Sequence, residues 1–371
     1  MSLWVVVGGQ YGSEGKGKVS AFITKQENID ICVRCGGPNS GHSFVDESGK
    51  NIVLRQLPTG FVNPSARLLI PAGALIDPVV LKQEIESLGL PVERVGIDQN
   101  SFIIEERDRE TERSLGLRER LSSTLCGVGA AQSRRVLRAE SAKLARDVSR
   151  EHPWIGEYLT DVSEEVNTAL DHERKVLIEG TQGFGLSLYH SQYYPKTTSR
   201  DTTAAGFLSE VGVSPLRVSE IVVVFRTFPI RVSGAQAGPL EHEITWDRLK
   251  EESGCPHSIE ERTTVTNRIR RVAGFDWELA HRAVRASKPT RLIVNCLDHL
   301  DYSNTRARQW DGLSQRSKEF IRDLEFRTGT AVAFMGVGPG LNDMVPRRNG
   351  AGVWSEASSV ASGRFAESTA G

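Results

Sequence analysis

Residues 8–18 read Gly8-Gly9-Gln10-Tyr11-Gly12-Ser13-Glu14-Gly15-Lys16-Gly17-Lys18, directly after the apolar run 3–7. A glycine-rich turn between a buried strand and a lysine-bearing helix start offers backbone N–H groups and a helix N-terminus to a polyphosphate. Nucleotide chemistry is therefore the first expectation. The fit to the generic phosphate loop is loose, because Val19 stands where a hydroxyl should meet magnesium. A glycine-rich strand-to-helix turn without a ligand is the plainer alternative. A second chemical group is His42 in the loop Gly41-His42-Ser43. An imidazole titrates near neutrality and can serve as a general acid. A third is the run Arg268-Ile269-Arg270-Arg271, which suits one small anion or is simply a solvated basic stretch. Gln182 brings both a donor and an acceptor.

The elements that must position these residues alternate along the chain. Residues 3–7, 31–34, 68–70, 175–178, 220–225, 291–295 and 331–335 read as short buried strands, β-branched and bounded by turn residues. Residues 78–88, 141–150, 155–173, 277–286 and 314–328 read as helices, the first with Asp77 as N-cap and Pro78 in its first turn. Strands interleaved with helices predict an α/β fold: one large domain with a mainly parallel central sheet flanked by helices. In such sheets ligands bind beyond the carboxyl ends of the strands. The glycine loop, Gln182, Asp298 and Gly336 all follow strands, so they are expected on one edge. A catalytic domain over residues 1–348 and a Ser/Ala/Gly-rich tail over 349–371 are the expected organisation, with Trp354 as an anchor for the tail.

Composition narrows the function. The chain has 371 residues, 46 basic and 47 acidic, for a net charge of −1. That balance argues against a general nucleic-acid binder or a membrane-surface protein. No apolar stretch approaches the roughly 20 residues of a spanning helix, and the apolar run at the N-terminus is too short for a signal peptide. Five cysteines are scattered, and Cys32 and Cys35 form a C-x-x-C inside a strand-like run. Without a second pair or a histidine set they are expected to be reduced structural thiols of a cytoplasmic protein.

The longer strings are more specific. Residues 10–18, the run Gly36-Gly37-Pro38-Asn39-Ser40-Gly41-His42-Ser43, and then Glu179-Gly180-Thr181-Gln182-Gly183, Thr202-Thr203-Ala204, Thr266-Asn267-Arg268-Ile269-Arg270-Arg271 and Gly336-Val337-Gly338-Pro339 together resemble the adenylosuccinate synthetase family. The resemblance covers most of the chain in the family's order. It implies a two-step ligation. A triphosphate's γ-phosphoryl passes to O6 of a 6-oxopurine nucleotide, and the amine of L-aspartate then displaces that phosphate. Such chemistry asks for positioning, charge neutralisation and proton control.

By that resemblance Ser13, Lys16, His42 and Gln182 form the catalytic set. Glu14, Gly15, Lys16, Gly17, Gly41, His42, Ser43, Asn295, Asp298, Gly336 and Gly338 would surround the triphosphate, with Mg²⁺ on Ser13 and the carbonyl of Gly41. Asn39, Thr124, Gln182 and Thr198 would hold the purine nucleotide. Arg134, or Arg135 beside it, would reach the 5'-phosphate from the second subunit of a homodimer. Thr264, Val265, Thr266, Arg268 and Arg270 would take L-aspartate.

Two departures set further expectations. The family's loop aspartate, which takes the N1 proton of IMP, is Ser13 here, and a hydroxyl is too weak a base at neutral pH. Either the enzyme is crippled or its substrate differs. A short neutral side chain leaves room for a 2-amino purine, and the replacement looks like the family's phage branch, which acts on dGMP. The expected reaction is accordingly an ATP-dependent (or dATP-dependent) joining of L-aspartate to dGMP in a bacterial host's cytoplasm. Cys296 stands where the family carries a base-flanking lysine, which favours ATP over GTP. The alternatives are an ordinary synthetase using IMP and GTP, and a non-catalytic nucleotide switch.

Overall fold

A computed structural model describes residues 2–148, 150–263 and 267–347. The expected tail and Trp354 lie outside the described residues. Ten strands form the central sheet: β1 (Ser2–Gly8), β2 (Ile31–Arg34), β3 (Arg67–Ile70), β4 (Val95–Asp98), β5 (Leu159–Thr160), β6 (Lys175–Glu179), β7 (Glu220–Arg226), β8 (Arg291–Asn295), β9 (Val332–Gly336) and β10 (Met344–Pro346). Their order is β10-β9-β8-β7-β1-β6-β2-β3-β4-β5. Every neighbouring pair is parallel except β9 with β10. The expected parallel α/β sheet is therefore present, with an antiparallel strand at one edge.

The strands are near-continuous apolar runs because helices cover both faces. On one face Leu3, Val5, Val7, Val33, Val223 and Val294 pack against helices Val162–Asp171, Ala204–Val211, Trp277–Ser287 and Gln315–Thr328. On the other, Trp4, Val6, Leu68, Leu177 and Val224 pack against α1 (Lys16–Glu27) and α2 (Pro78–Ser87). Side chains alternate faces along a strand, so the odd spacing of Cys32 and Cys35 sends them into opposite cores. Both are free thiols, as expected of structural cysteines.

Asp77 does cap α2, accepting from Val79 and Val80 amides at 3.1 and 3.3 Å. Two expected helices are corrected. Among the described residues of 141–150 the helical structure is a single 3₁₀ turn, Ala145–Asp147. This segment is tied back to the sheet edge, with Ala145 N on Ser101 O at 2.8 Å and Ile103 N on Lys143 O at 2.9 Å. Residues 155–173 are split. A short helix ends at Gly156, β5 pairs with β4 through Ile97 and Asp98, and Asp161 then caps a new helix through Glu164 N at 2.9 Å. Strand pairing at the sheet edge overrides the helical periodicity there.

Candidate active site

The loop after β1 crosses the sheet where chain order reverses: both neighbours of β1, namely β6 and β7, come much later in sequence. Such a crevice is where open α/β sheets bind ligands. Gly12, Ser13 and Gly15 all have left-handed backbone (φ 88°, 58° and 87°), so the chain wraps tightly before α1 begins at Lys16. A Cβ on Gly15 would lie 2.6 Å from Asn295 Nδ2. Only glycine meets both demands there.

The Glu14 carboxylate is buried inside this loop. Oε1 accepts from the amides of Gln10 and Gly12 at 3.0 and 2.8 Å, and Oε2 accepts from Lys16 Nζ at 2.6 Å. The far side is clamped by β7 and β8. Arg226 donates to Ser13 O at 3.1 Å, Gln10 exchanges hydrogen bonds with Arg226 at 3.0 and 3.1 Å, and Asn295 Nδ2 donates to Glu14 O at 2.7 Å. Asn295 thus holds the loop with its amide. Lys18 reaches the carbonyls of Gly338 and Asp343 at 2.7 and 3.1 Å, which draws the loop after β9 against the glycine loop. Burial pushes its ammonium down to about 8.

His42 opens a two-stranded hairpin, His42–Val45 with Asn51–Leu54, beside α1. Its Nδ1 bonds the carboxylate of Glu179 at the end of β6. Glu179 also accepts from Arg34 Nη1 at 2.6 Å and from Thr59 N and Oγ1 at 2.9 and 2.8 Å. His42 Nε2 is buried and has no partner among the described residues. Burial first, then the Arg34 charge, hold the imidazole down to about 3.

A cavity of about 240 Å³ opens beside the loop. Ser13, Asn39, Gly41, Thr124, Gln182, Thr198, Arg268 and Arg270 all line it. Sequence spacing alone had scattered these over more than half the chain. Ser13 is exposed to the cavity, and Gln182 holds a left-handed φ of 59°. Thr264, Val265 and Thr266 lie outside the described residues. Their neighbour Thr263 lines the cavity and accepts from Arg268 N at 3.0 Å. Gly336 ends β9 against Asn295, while Ser43 is exposed on the hairpin.

Arg134 is engaged within its own chain. Its Nε and Nη2 fork onto Asp108 at 3.0 and 2.8 Å, and Nη1 donates to Ser141 O at 2.7 Å. Arg135 is also engaged, donating to Ala72 O at 2.7 Å. Neither lines the cavity.

Sequence reasoning missed several residues. Tyr11, Arg231 and Lys196 line the cavity, and the Arg231 guanidinium sits 4.6 Å from the Tyr11 ring centre. Glu112 lines it too and accepts from Gly127 and Gly129 amides at 2.9 and 2.8 Å, steadying the loop that carries Thr124. The sequence signal for Glu179 was its place in the motif Glu179-Gly180-Thr181-Gln182-Gly183 at the carboxyl end of a strand, with no role attached to it.

At the other side of the glycine loop, Cys296 follows β8 in left-handed backbone (φ 63°), near Glu261 and His299. These atoms could in principle hold a cation, but both carboxylate oxygens of Glu261 are engaged by Arg226. Asp298 lies beside this group, its carboxylate 4.0 Å from His299 Nε2.

A parallel sheet with a lysine-bearing glycine loop, a buried imidazole and an arginine-rimmed cavity has the layout of a nucleotide-dependent α/β enzyme. The adenylosuccinate synthetase family profile matches residues 5–152 and 140–305. The chain is 43% identical over 352 residues to the adenylosuccinate synthetase of Pyrococcus horikoshii, covering 93% of this chain and 98% of that one. It is 42% identical to that of Methanocaldococcus jannaschii, covering 93% and 96%. The chain belongs to the adenylosuccinate synthetase family, whose members are ligases that form C–N bonds.

Solved structures agree on the fold. A fully ligated Plasmodium falciparum adenylosuccinate synthetase superposes with a TM-score of 0.84 at 20% identity, over 94% of this chain and all of that one. A cyanophage S-2L succinoaminodeoxyadenylate synthetase, bound to dGMP and dATP as an energy donor, superposes at 0.79 and 26%, over 96% and 99%. The expectation of a dGMP-dependent phage enzyme is therefore corrected. Adenylosuccinate synthetases match at 42–43% across nearly the full chain, above the 26% of the phage structure. Ser13 had carried the choice of purine, and Cys296 the choice of ATP as donor. Among the described residues, no helix is long and apolar enough to cross a membrane.

Proposed function

We propose that the chain joins L-aspartate to IMP at the cost of a nucleoside triphosphate, with GTP as donor. The observation that carries this is the 43% identity to an adenylosuccinate synthetase over 93% of the chain. The site geometry supports it. Lys16 and the loop amides take the β- and γ-phosphates, and the transferring phosphoryl meets His42. Asn39, Thr124, Thr198 and Gln182 surround the purine nucleotide, and Arg268 with Arg270 face the two carboxylates of aspartate. Asp298 remains available to read the donor base.

Mg²⁺ fits the site through hard oxygens: Ser13 and Gly41 both line the cavity and would offer a hydroxyl and a carbonyl, and phosphates and water would complete the shell. When bound it would neutralise charge on the transferring phosphoryl group. Ser13 leaves no carboxylate for the N1 proton, and Glu14 cannot substitute because its oxygens are spent inside the loop.

A homodimer in the cytoplasm goes with this reading. Arg138 is the arginine of its segment that is exposed and has no partner among the described residues. It follows Val136 and Leu137, which are 67% and 73% exposed. We assign the cross-subunit role to Arg138 in place of Arg134. The test is product mass from IMP, L-aspartate, Mg²⁺ and either GTP or ATP. A succinylated IMP product formed faster with GTP supports the reading, and none with either donor overturns it.

A further inference from the structure

We infer that Arg231 is a positioning residue for the purine nucleotide: it braces the cavity wall on which the nucleotide lies and supplies a counter-charge for the 5'-phosphate from within the same chain. The inference rests on the synthetase reading above and deepens it.

Four arginines are buried among the described residues: Arg34, Arg200, Arg226 and Arg231. The first three each meet a carboxylate, on Glu179, Glu210 and Glu261. Arg231, only 2% exposed, has no carboxylate partner among the described residues. Its hydrogen bonds go to two carbonyls instead. Nη1 donates to Pro239 O and Nη2 to Lys196 O, each at 2.7 Å. Cζ lies over two rings, 4.6 Å from the centre of Tyr11 and 5.5 Å from that of Tyr193. Nε is buried and has no partner among the described residues. Carbonyls and ring faces offer partial negative charge only. A full cation buried among them lacks the ionic pairing that such burial ordinarily demands. Gly238 makes room for this arrangement: its φ is 97°, and a Cβ there would lie 2.7 Å from Arg231 Nη2 and 3.0 Å from Cζ.

The missing negative charge is one that a substrate would bring. Arg118, Lys196, Arg231, Arg268 and Arg270 line the cavity against a single carboxylate, Glu112, whose oxygens are held by backbone amides. Such a lining suits more than one anion. Arg268 and Arg270 belong to the segment beside Thr263 and face aspartate in the reading above. Arg231 is coupled to other parts of the wall. Through Lys196 O it fixes the run 196–199, all of which lines the cavity and which includes Thr198. Through the Tyr11 ring it braces the glycine loop beside Gly12 and Ser13, which also line the cavity. Both segments lie on the purine nucleotide's side, and the anionic group of that substrate is its 5'-phosphate.

The test pairs IMP with inosine, which is the same nucleoside without the phosphate, in calorimetric titrations of the full chain. Arg231→Gln should weaken IMP binding by about 10- to 100-fold and leave inosine within about threefold of wild type. In product-mass assays KM for IMP should rise far more than kcat falls, and KM for L-aspartate should move by less than about threefold. Arg231→Lys keeps the charge but loses the fork. It should bind IMP within about tenfold of wild type and inosine within about threefold, and it carries the test if the Gln variant fails to fold. A folded Gln variant that binds IMP within about threefold of wild type overturns the inference. So does either variant losing IMP and inosine by equal factors, because an arginine that only holds the fold would weaken both alike. If IMP yields no succinylated product, the reading above fails while the paired titrations still decide the role of Arg231.

Discussion

Gly17→Ala separates stability from catalysis at one atom. A Cβ at this position would lie 2.6 Å from His42 Cβ and 3.2 Å from both His42 Cγ and Thr59 Cγ2. Non-bonded carbons prefer about 3.5–4.0 Å, so about 1 Å of movement is needed. Gly17 is the second residue of α1 with ordinary helical backbone, so alanine itself fits and gains about 0.5–1 kcal/mol. Overpacking costs about 1–3 kcal/mol. The two offset, and the net loss of stability is about 0–2 kcal/mol. Catalysis has no such offset. The side of the contact that must yield is the histidine or the phosphate loop, and a 1 Å misplacement of reacting groups costs on the order of 100-fold. The assay is kcat by product mass beside a urea unfolding curve. Gly312→Ala serves as control, since its Cβ would meet Ala307 at an ordinary 3.6 Å. A Gly17→Ala enzyme that unfolds like wild type and turns over within about threefold of it would refute the reasoning. The ring would then yield freely, or play no part.

Ser13→Asp should restore a proton acceptor and raise kcat with IMP by about 100-fold or more; an unchanged rate in steady-state assays would mean the N1 proton leaves by another route. Glu14→Gln removes the charge that holds Lys16 and two loop amides, and should cost about 3–5 kcal/mol in unfolding free energy, with weaker triphosphate binding by calorimetry. His42 titrates near 6.5 unfolded and near 3 folded. Between those values the unfolded chain binds the extra proton, so the stability from His42 is complete above pH 6.5 and is lost as pH falls toward 3. His42→Asn should show a flatter acid limb in urea midpoints. Arg134→Ala should destabilise the fold by about 3–5 kcal/mol by leaving Asp108 unpaired, whereas Arg138→Ala should leave stability alone and weaken IMP binding. The reverse pattern in thermal melts and titrations would return the cross-subunit role to Arg134.

The parts of the site legible in sequence are those whose cause is local. Strand 3–7 is followed by glycines and a lysine, and the chain has little choice but to turn and start a helix there. The same holds for Asp77 before Pro78. What escaped is long-range pairing. Glu179 meets partners 145, 137 and 120 residues away, and no window of periodicity spans that distance. Arg134 carried an open choice between a solvated helix face and a partner's phosphate. Asp108, 26 residues earlier, offers both oxygens to its fork, a pairing that no local pattern announces. Ser13 misled for a related reason. A hydroxyl at one rim position was made to specify a whole purine, yet the cavity it faces is walled by side chains from eight or more separate segments. Discrimination between purines is a difference of affinities summed over that wall. One side chain's size bounds what can enter; it does not say what the remaining donors and acceptors are arranged to hold.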